Sequence, residues 1–367
     1  MLRKILVDHC SAHAFRHTPA LGNAFDTSHS HRGVLQAWRH SLCFALITLV
    51  AASLNAATGK LEVRFFDVGQ GDAILVTCPE GKHHLLIDSG DTRYPNSSKN
   101  FRALLSDAFK NQPQVIDVAV ASHVHTDHIG SMQWVLENFR VANYIDNGDT
   151  SEKTTYGNLR KLRTKQVNAG TLTYINAKQN NFMTVEFCPE VNMEVFEPWA
   201  RKPLSDPNDR SLAVRLEYKS KSFLFVGDME DKAEKVMLNE FTAAERARLD
   251  VDVLKVGHHG SDTSSTVAFI NAVSPGIAIV SVGKKDVSTN VRYKHPRLST
   301  VRSYEDWFKN HQPQATAASA QVLAFDASQK KWQQQARPKG MWLTIKDGSV
   351  TVTWDGQSLE VISSPTN

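Results

Sequence analysis

The sequence predicts an α/β fold on three observations. Short apolar runs alternate with stretches of helical spacing, most of those runs stop abruptly at a loop, and several of the stops carry Asp or His. With 367 residues, 41% of them hydrophobic and 22% charged, the chain can bury a sizeable core without cross-links.

That core is not expected to begin at residue 1. Residues 41–54, "SLCFALITLVAASL", form an apolar run of fourteen, too short to span a bilayer. Arg39 and His40 precede it and the small residues of "NAATG" follow, as in a secretory signal cleaved near Ala56 or Ala57. An uncleaved anchor is the alternative. Residues 1–33 are His-rich without apolar periodicity, so translation is expected to start near Val34 or Leu35, at a non-AUG codon. The expected division is a leader over 1–59, with the signal core and cleavage region at 41–57, and one folded domain over 60–367. That domain would be exported, to the periplasm or the medium.

The leader takes five basic and two acidic residues with it, leaving 37 basic and 36 acidic groups, a formal +1. Net charge therefore gives no support for nucleic-acid binding. Two local clusters remain: "RKLRTK" (160–165), which reads as a solvated helix face, and "VRYKHPR" (291–297). Of the four cysteines, Cys78 and Cys188 lie outside the leader. An exported chain can pair them, although sequence does not say whether they meet. No CxxC spacing points to a thiolate zinc site.

Along the domain, "LEVRFFDV" (61–68) and "AILVTC" (73–78) flank the turn "GQGD" as a hairpin. "KHHLLIDSG" (82–90) ends on Asp88 and Ser89, and "VIDVAVAS" (115–122) runs into "SHVHTDHIGS". Ile129, Met132, Leu136 and Phe139 then keep helical spacing. Residues 141–200 are mixed and polar, with a helix expected around 154–165. "SLAVRLEY", "SFLFVGD" (222–228), "VDVLKVGHHGS" (251–261) and "GIAIVSVG" (276–283) are further strand-like runs. A helix near 298–309 follows, and "MWLTIKDGSVTVTWDG" (341–356) reads as a hairpin turning at Asp347-Gly348.

Four strand ends carry chemistry: Asp88, His123, Asp228 and the pair His258–His259. In α/β folds such ends face a common crevice on rigid stems. Only nine histidines follow the leader, and five of them lie in the two motifs. In His123-x-His125 the alternate positions point the same way, so both rings can bind one cation. Asp127 and His128 could reach a second cation, Asp228 could bridge the two, and one histidine of the pair would complete the second site. Nitrogen-plus-carboxylate ligation favours zinc, with manganese or iron as alternatives. A closed structural site would lean on cysteine, whereas open sites keep room for water.

The pattern His-x-His-x-Asp-His after a strand, then Asp228 and a later strand-end histidine, resembles the metallo-β-lactamase superfamily. "FFDVGQGDAILV", "LLIDSGD", "SHVHTDHIGS", "NDRSLAVRLEY", "FLFVGDME", "VLKVGHHGSDTSS" and "YKHPR", in this order, are similar to the hydrolase domain of the competence protein ComEC and its stand-alone relatives. The resemblance covers about 62–300. It implies an αββα sandwich of two mixed sheets with the metal site at one edge. It assigns His123 and His125 to one metal, Asp127, His128 and His259 to the other, and Asp228 to both. Many superfamily members place a further ligand histidine between these motif blocks, and none stands between His128 and His258. The segment 208–211, "NDRS", takes that place, which makes Asp209 the expected substitute. Asp88 would orient a ligand histidine through its free ring nitrogen. His258 would contact the substrate, since neighbouring side chains diverge. Asp127, His258 and His295 count as the catalytic groups. His295 would meet a substrate phosphate, although taken alone it reads as a surface histidine.

These residues predict a metallo-hydrolase in which a hydroxide held between two cations attacks a phosphodiester. The partner expected is a phosphate-containing substrate, nucleic acid being one candidate, with basic residues near 284–297 to hold it. A single short apolar run gives no conducting channel and no transmembrane partner. Two other readings stay open: a carboxylic ester, lactone or β-lactam hydrolase on the same scaffold, and a non-catalytic binding protein that retains metal.

Overall fold

Two mixed sheets form the centre of the folded unit over residues 58–367. The computed structural model describes residues 59–92, 95–179 and 182–364 (for 95–99 and 179, the backbone only), so the leader and its signal lie outside the described residues. The first sheet begins with β1 (Leu61–Phe65), β2 (Ile74–Thr77) and β3 (His84–Ile87), paired antiparallel. It then adds β4 (Val115–Val120), β5 (Arg140–Asp146) and β6 (Thr173–Asn176) in parallel. The second sheet runs antiparallel through β7 (Phe182–Val185), β8 (Asn192–Phe196), β9 (Ala213–Tyr218) and β10 (Lys221–Phe225). It continues in parallel through β11 (Val253–Lys255) and β12 (Ile277–Val280).

The buried faces explain the layers. Inner residues of both sheets, among them Val63, Phe65, Val118, Val214, Phe223 and Ile279, share one core. On the outer face of the first sheet, α1 (Pro95–Ala108), α3 (Met132–Asn138) and α4 (Thr154–Asn168) bury Phe101, Leu105, Met132, Leu136 and Leu159. The one-turn helix α2 (Thr126–Ile129) precedes α3 in the chain. On the outer face of the second, α5 (Asp231–Glu240), α6 (Val267–Val273) and α7 (Leu298–Asn310) bury Met237, Phe269, Ile270, Val301 and Tyr304. The result is an αββα sandwich in which each element turns its apolar side inwards.

Three stretches depart from the sequence reading. The run 341–356 is no hairpin: β15 (Met341–Leu343) joins the second sheet parallel to β12, while β16 (Ser349–Trp354) joins the first against β1. Asp347 Oδ2 accepts the Leu343 amide at 2.9 Å and Thr344 Oγ1 accepts that of Val282 at 2.9 Å, so the turn carries the chain between layers. The hairpins of the C-terminal part are β16 with β17 (Leu359–Ser364), and β13 (Gln321–Asp326) with β14 (Lys331–Ala336), while the expected β1–β2 hairpin is present. In "RKLRTK", Arg163 is buried, paired with Asp146 and 3.9 Å from the Tyr174 ring centroid, rather than solvated.

Cys78 follows β2 and Cys188 follows β7, and a disulfide joins them with Cα atoms 6.1 Å apart. The bond staples one sheet to the other across 110 positions of sequence. Replacing both cysteines by Ala is expected to lower unfolding free energy by roughly 2–5 kcal/mol, read from the urea midpoint. An unchanged midpoint would contradict a stapling role.

Candidate metal centre

Strand direction decides where the chemistry gathers. β1, β3, β4 and β5 all end at one edge of the first sheet, and β10, β11 and β12 end at the same edge of the second. Backbone hydrogen bonds then lock the loops there: Leu212 N to Ser122 O at 2.9 Å, Ser89 N to His128 O at 2.7 Å, and His258 N to Gly227 O at 3.1 Å. The "GQGD" loop approaches so closely that a Cβ on Gly71 (φ 136°) would meet Asp127 O at 2.3 Å, so only glycine fits.

The structure brings His123, His125 and Asp228 into one group, and Asp127, His128 and His259 into a second, the ligand atoms within each lying inside 4.8 Å. Asp228 stands between them: its Oδ2 is 3.2 Å from His128 Nε2, and its Oδ1 is 3.3 Å from His259 Nε2. Tautomers follow from the surroundings. Ser122 Oγ donates to Asp88 Oδ2 at 2.7 Å and therefore accepts from His123 Nδ1 at 3.1 Å. His128 Nδ1 lies 2.7 Å from Asp88 Oδ2, and His259 Nδ1 donates to Ser281 O at 2.9 Å. All three rings thus turn Nε2 towards the centre. Among the described residues, those nitrogens and Asp228 Oδ1 are buried without a hydrogen-bond partner. Buried polar atoms are rarely left so, and this oxygen-and-imidazole set fits a divalent transition metal.

The charges of the cluster point the same way. Burial alone would raise Asp228, but His128, His259 and His258 hold its carboxyl well below the ordinary range. Burial alone would lower His128 and His259. Asp228 and Asp88 nevertheless hold His128 well above its usual value, and Asp228 with Asp72 raises His259 to about 9. Burial, with His128 beside it, keeps His123 well below. Protons on the rings balance a carboxylate that a cation would otherwise neutralise.

Around this centre lie groups with other duties. His258 and His259 both sit in the left-handed region (φ 43° and 53°), costing about 1–2 kcal/mol each, and their side chains diverge. His258 Nδ1 is 2.9 Å from Glu230 Oε1, and its Nε2 is 3.8 Å from Asp228. His295 is no surface residue: it is 3% exposed, with its ring centroid 5.1 Å from that of His258. Burial holds its pKa well below the ordinary value, and His258 and His259 add to this. Gln70 fixes its tautomer. Gly283 N–H donates to Gln70 Oε1 at 3.1 Å, so the amide nitrogen faces His295 Nδ1 at 3.4 Å and the ring proton sits on Nε2.

Asp209 lies elsewhere than expected. Its Oδ1 accepts the backbone amides of Glu230 and Ala233 at 3.2 and 3.1 Å, at the start of α5. Among the described residues it joins no ligand group. Its neighbour Ser211 accepts the Asp228 amide at 3.1 Å. The "NDRS" segment braces the loop that carries Asp228, where a short carboxylate is better placed to cap a helix than to reach a cation. Sequence reasoning also missed Asp72, Lys255 and Glu230. Lys255, fully buried, meets Asp72 Oδ2 at 2.7 Å, and Asp72 Oδ1 lies 3.3 Å from His259 Nδ1. Burial alone would raise Asp72, but Lys255 and His259 take it down to about 2. A lysine inside the run "VLKVG" was the available signal, since a buried ammonium requires a carboxylate.

Fold and site together define a metallo-hydrolase scaffold with two imidazole–carboxylate groups sharing one aspartate. The chain belongs to the metallo-β-lactamase superfamily, whose family model matches residues 66–284. It is 30% identical over 252 residues to ComE operon protein 3 of Bacillus subtilis, covering 66% of this chain and 30% of that protein. It is 27% identical over 237 residues to competence protein ComA of Neisseria gonorrhoeae, covering 65% and 28%. The chain thus spans less than a third of the length of these two relatives. Among solved structures, Zn(2+)-bound PqqB from Methylobacterium extorquens matches with a TM-score of 0.37 at 12% identity, covering 58% of this chain and 77% of that one. Among the described residues, no helix is long and apolar enough to cross a membrane.

Asp88 accepts from Ser122 N, Ser122 Oγ and His128 Nδ1, so it orients two candidate ligands at once. Asp88→Asn, which tolerates the positive φ of 59° at this position, is expected to weaken zinc affinity about 10–100-fold in a chelator competition. Affinity within twofold of wild type would contradict that orienting role.

Proposed function

We propose that the protein is an exported metal-dependent phosphodiesterase. The observation that carries this reading is that Asp228, grouped with His123 and His125, also lies 3.2 and 3.3 Å from His128 and His259 of the second group, with His258 3.8 Å away and His295 against His258. His123, His125 and Asp228 would hold one cation, and Asp127, His128, His259 and Asp228 the other. Zinc suits these donors, with manganese or iron as alternatives. Bound there, the cations supply an acidified water and Lewis-acid stabilisation of charge on the phosphoryl oxygens.

The chain's own groups do the rest. Glu230 Oε1 lies 2.9 Å from His258 Nδ1 and orients the ring. His258 Nε2 is then the atom from which a proton passes to the leaving oxygen. His295, neutral and carrying its proton on Nε2, donates a hydrogen bond to a phosphoryl oxygen without giving the proton up. Export is supported by the Cys78–Cys188 disulfide, a bond that persists in oxidising compartments.

The test is turnover of bis(p-nitrophenyl) phosphate by the zinc- or manganese-loaded chain, compared with nitrocefin and p-nitrophenyl acetate. Diester hydrolysis is expected to exceed both, to vanish with chelator, and to fall more than about 100-fold in Asp228→Ala, beyond the loss typical of an outer-shell residue. Cleavage of the lactam or carboxylic ester with the diester inert would contradict the reading, as would a metal-loaded chain with no turnover at all.

A further inference from the structure

At the edge of the sandwich opposite Asp228, the loop joining β2 to β3 gathers a different set of metal-ligating groups. β2 runs antiparallel to β1 and β3, so it ends, just before Cys78, at the edge where β3 begins. Cys78 N donates to His83 O at 2.9 Å and Gly81 N to Cys78 O at 2.8 Å, which closes the loop. Cys78, Glu80 and His83 thus share one short turn, and the disulfide brings Cys188 to it from the end of β7 in the second sheet. With 110 positions between the cysteines, no spacing motif announces the cluster.

The groups around the two sulfurs are those of a cation site. Glu80 Oε2 lies 2.7 Å from Cys78 Sγ. A disulfide sulfur has no hydrogen to donate, so in the oxidised chain this carboxylate faces a lone pair, whereas a cation would be held by both atoms. The ligand atoms of Cys78, Glu80 and Cys188 lie within 4.8 Å of one another. Donors about 2.0–2.3 Å from one zinc stand roughly 3–4 Å apart, so modest side-chain rotation closes the set. His83 is a step further out, with Nε2 4.0 Å from Glu80 Oε1. Its Nδ1 lies 2.9 Å from Asp117 Oδ1, an acceptor, so the ring proton sits there and Nε2 keeps its lone pair for a cation. Both cysteines are buried, but Glu80 is exposed, and a cavity of about 550 Å³ lined by His83, Asp117 and Cys188 offers an entry path.

We propose that the chain, once its disulfide is reduced, binds a zinc ion through Cys78 Sγ, Cys188 Sγ, a Glu80 carboxylate oxygen and His83 Nε2. A dithiol breaks the S–S bond by exchange: it is oxidised to a cyclic disulfide, and its two protons pass to the sulfurs of Cys78 and Cys188. Zinc then displaces both protons to solvent, so that two thiolates, a carboxylate and an imidazole fill a tetrahedral set. Thiolate ligation favours soft cations and separates this site from the oxygen-and-imidazole centre around Asp228. The sheets are thereby stapled by a covalent bond in the oxidised chain and by an ion in the reduced one. None of this depends on the phosphodiesterase reading.

Cobalt is the probe, because sulfur ligands give it an intense near-ultraviolet charge-transfer band and the groups around Asp228 contain no sulfur. The full chain carrying Cys10→Ser and Cys43→Ser is reduced with a trialkylphosphine, which takes up the oxygen of water and leaves no competing thiol, and is then titrated with cobalt. A thiolate-to-cobalt band is expected, and zinc should displace it. Cys78→Ser with Cys188→Ser, the leader cysteines kept, should show no band. Glu80→Gln and His83→Gln, both at solvent-accessible positions that leave the disulfide in place, should each weaken cobalt binding by at least about tenfold. A reduced chain without the band would overturn the site, as would a band that survives loss of Cys78 and Cys188. Unchanged cobalt affinity in either the Glu80 or the His83 variant would overturn the ligand set.

Discussion

The burial of Asp228 is the constraint on which the rest of this structure depends. Its side chain is 2% exposed, and an isolated carboxylate in such a place is strongly disfavoured unless positive charge surrounds it. Ring nitrogens of His128, His259, His258 and His123 stand 3.2, 3.3, 3.8 and 3.9 Å away. The rings come from two loops, His123 and His128 after β4 and His258 and His259 after β11, while Asp228 itself follows β10. The sandwich must therefore close correctly at this edge before the carboxylate is compensated. Divalent cations at the same place would neutralise it more completely than ring protons do, which links folding of the edge to metal uptake.

The second requirement is rigidity. Three of the four ligand rings are held from behind: His123 by Ser122, His128 by Asp88, and His259 by Ser281 and Asp72. Asp72 is in turn anchored by Lys255, a fully buried ammonium that would be strongly unfavourable unpaired. The left-handed backbone at His258 and His259 fits the same scheme. Two adjacent rings point to different tasks, one to the centre and one to Glu230, and the strain of that geometry is offset by its surroundings.

Much of this was legible in the sequence, for a local reason. His123, His125, Asp127 and His128 fall within six positions, and Asp228 and His259 each follow an apolar run that reads as a strand, so strand-end logic applies to all of them. The α/β class was legible in the alternation of runs, and the αββα layering came only through the family resemblance those motifs carry. What could not be read were partnerships between distant residues of ordinary type. Asp72 with Lys255, His258 with Glu230, and Gln70 with His295 carry no periodicity of their own. Asp209 was misplaced because a ligand and a helix cap call for the same short carboxylate. The 341–356 run was misread because Asp-Gly between two apolar stretches is a hairpin signal, while here it changes sheets. The β13–β14 hairpin was missed because "KWQQQA" lies largely outside the core and lacks apolar alternation.

The central claim is tested most directly by metal analysis of the purified, folded chain after exchange against a zinc buffer, using wild type and His123→Ala. The structure predicts zinc retained by the wild type at up to two ions per chain and a clear loss of stoichiometry in the variant, with the fold intact by circular dichroism. A folded wild-type chain that takes up no zinc, manganese or iron would contradict the account.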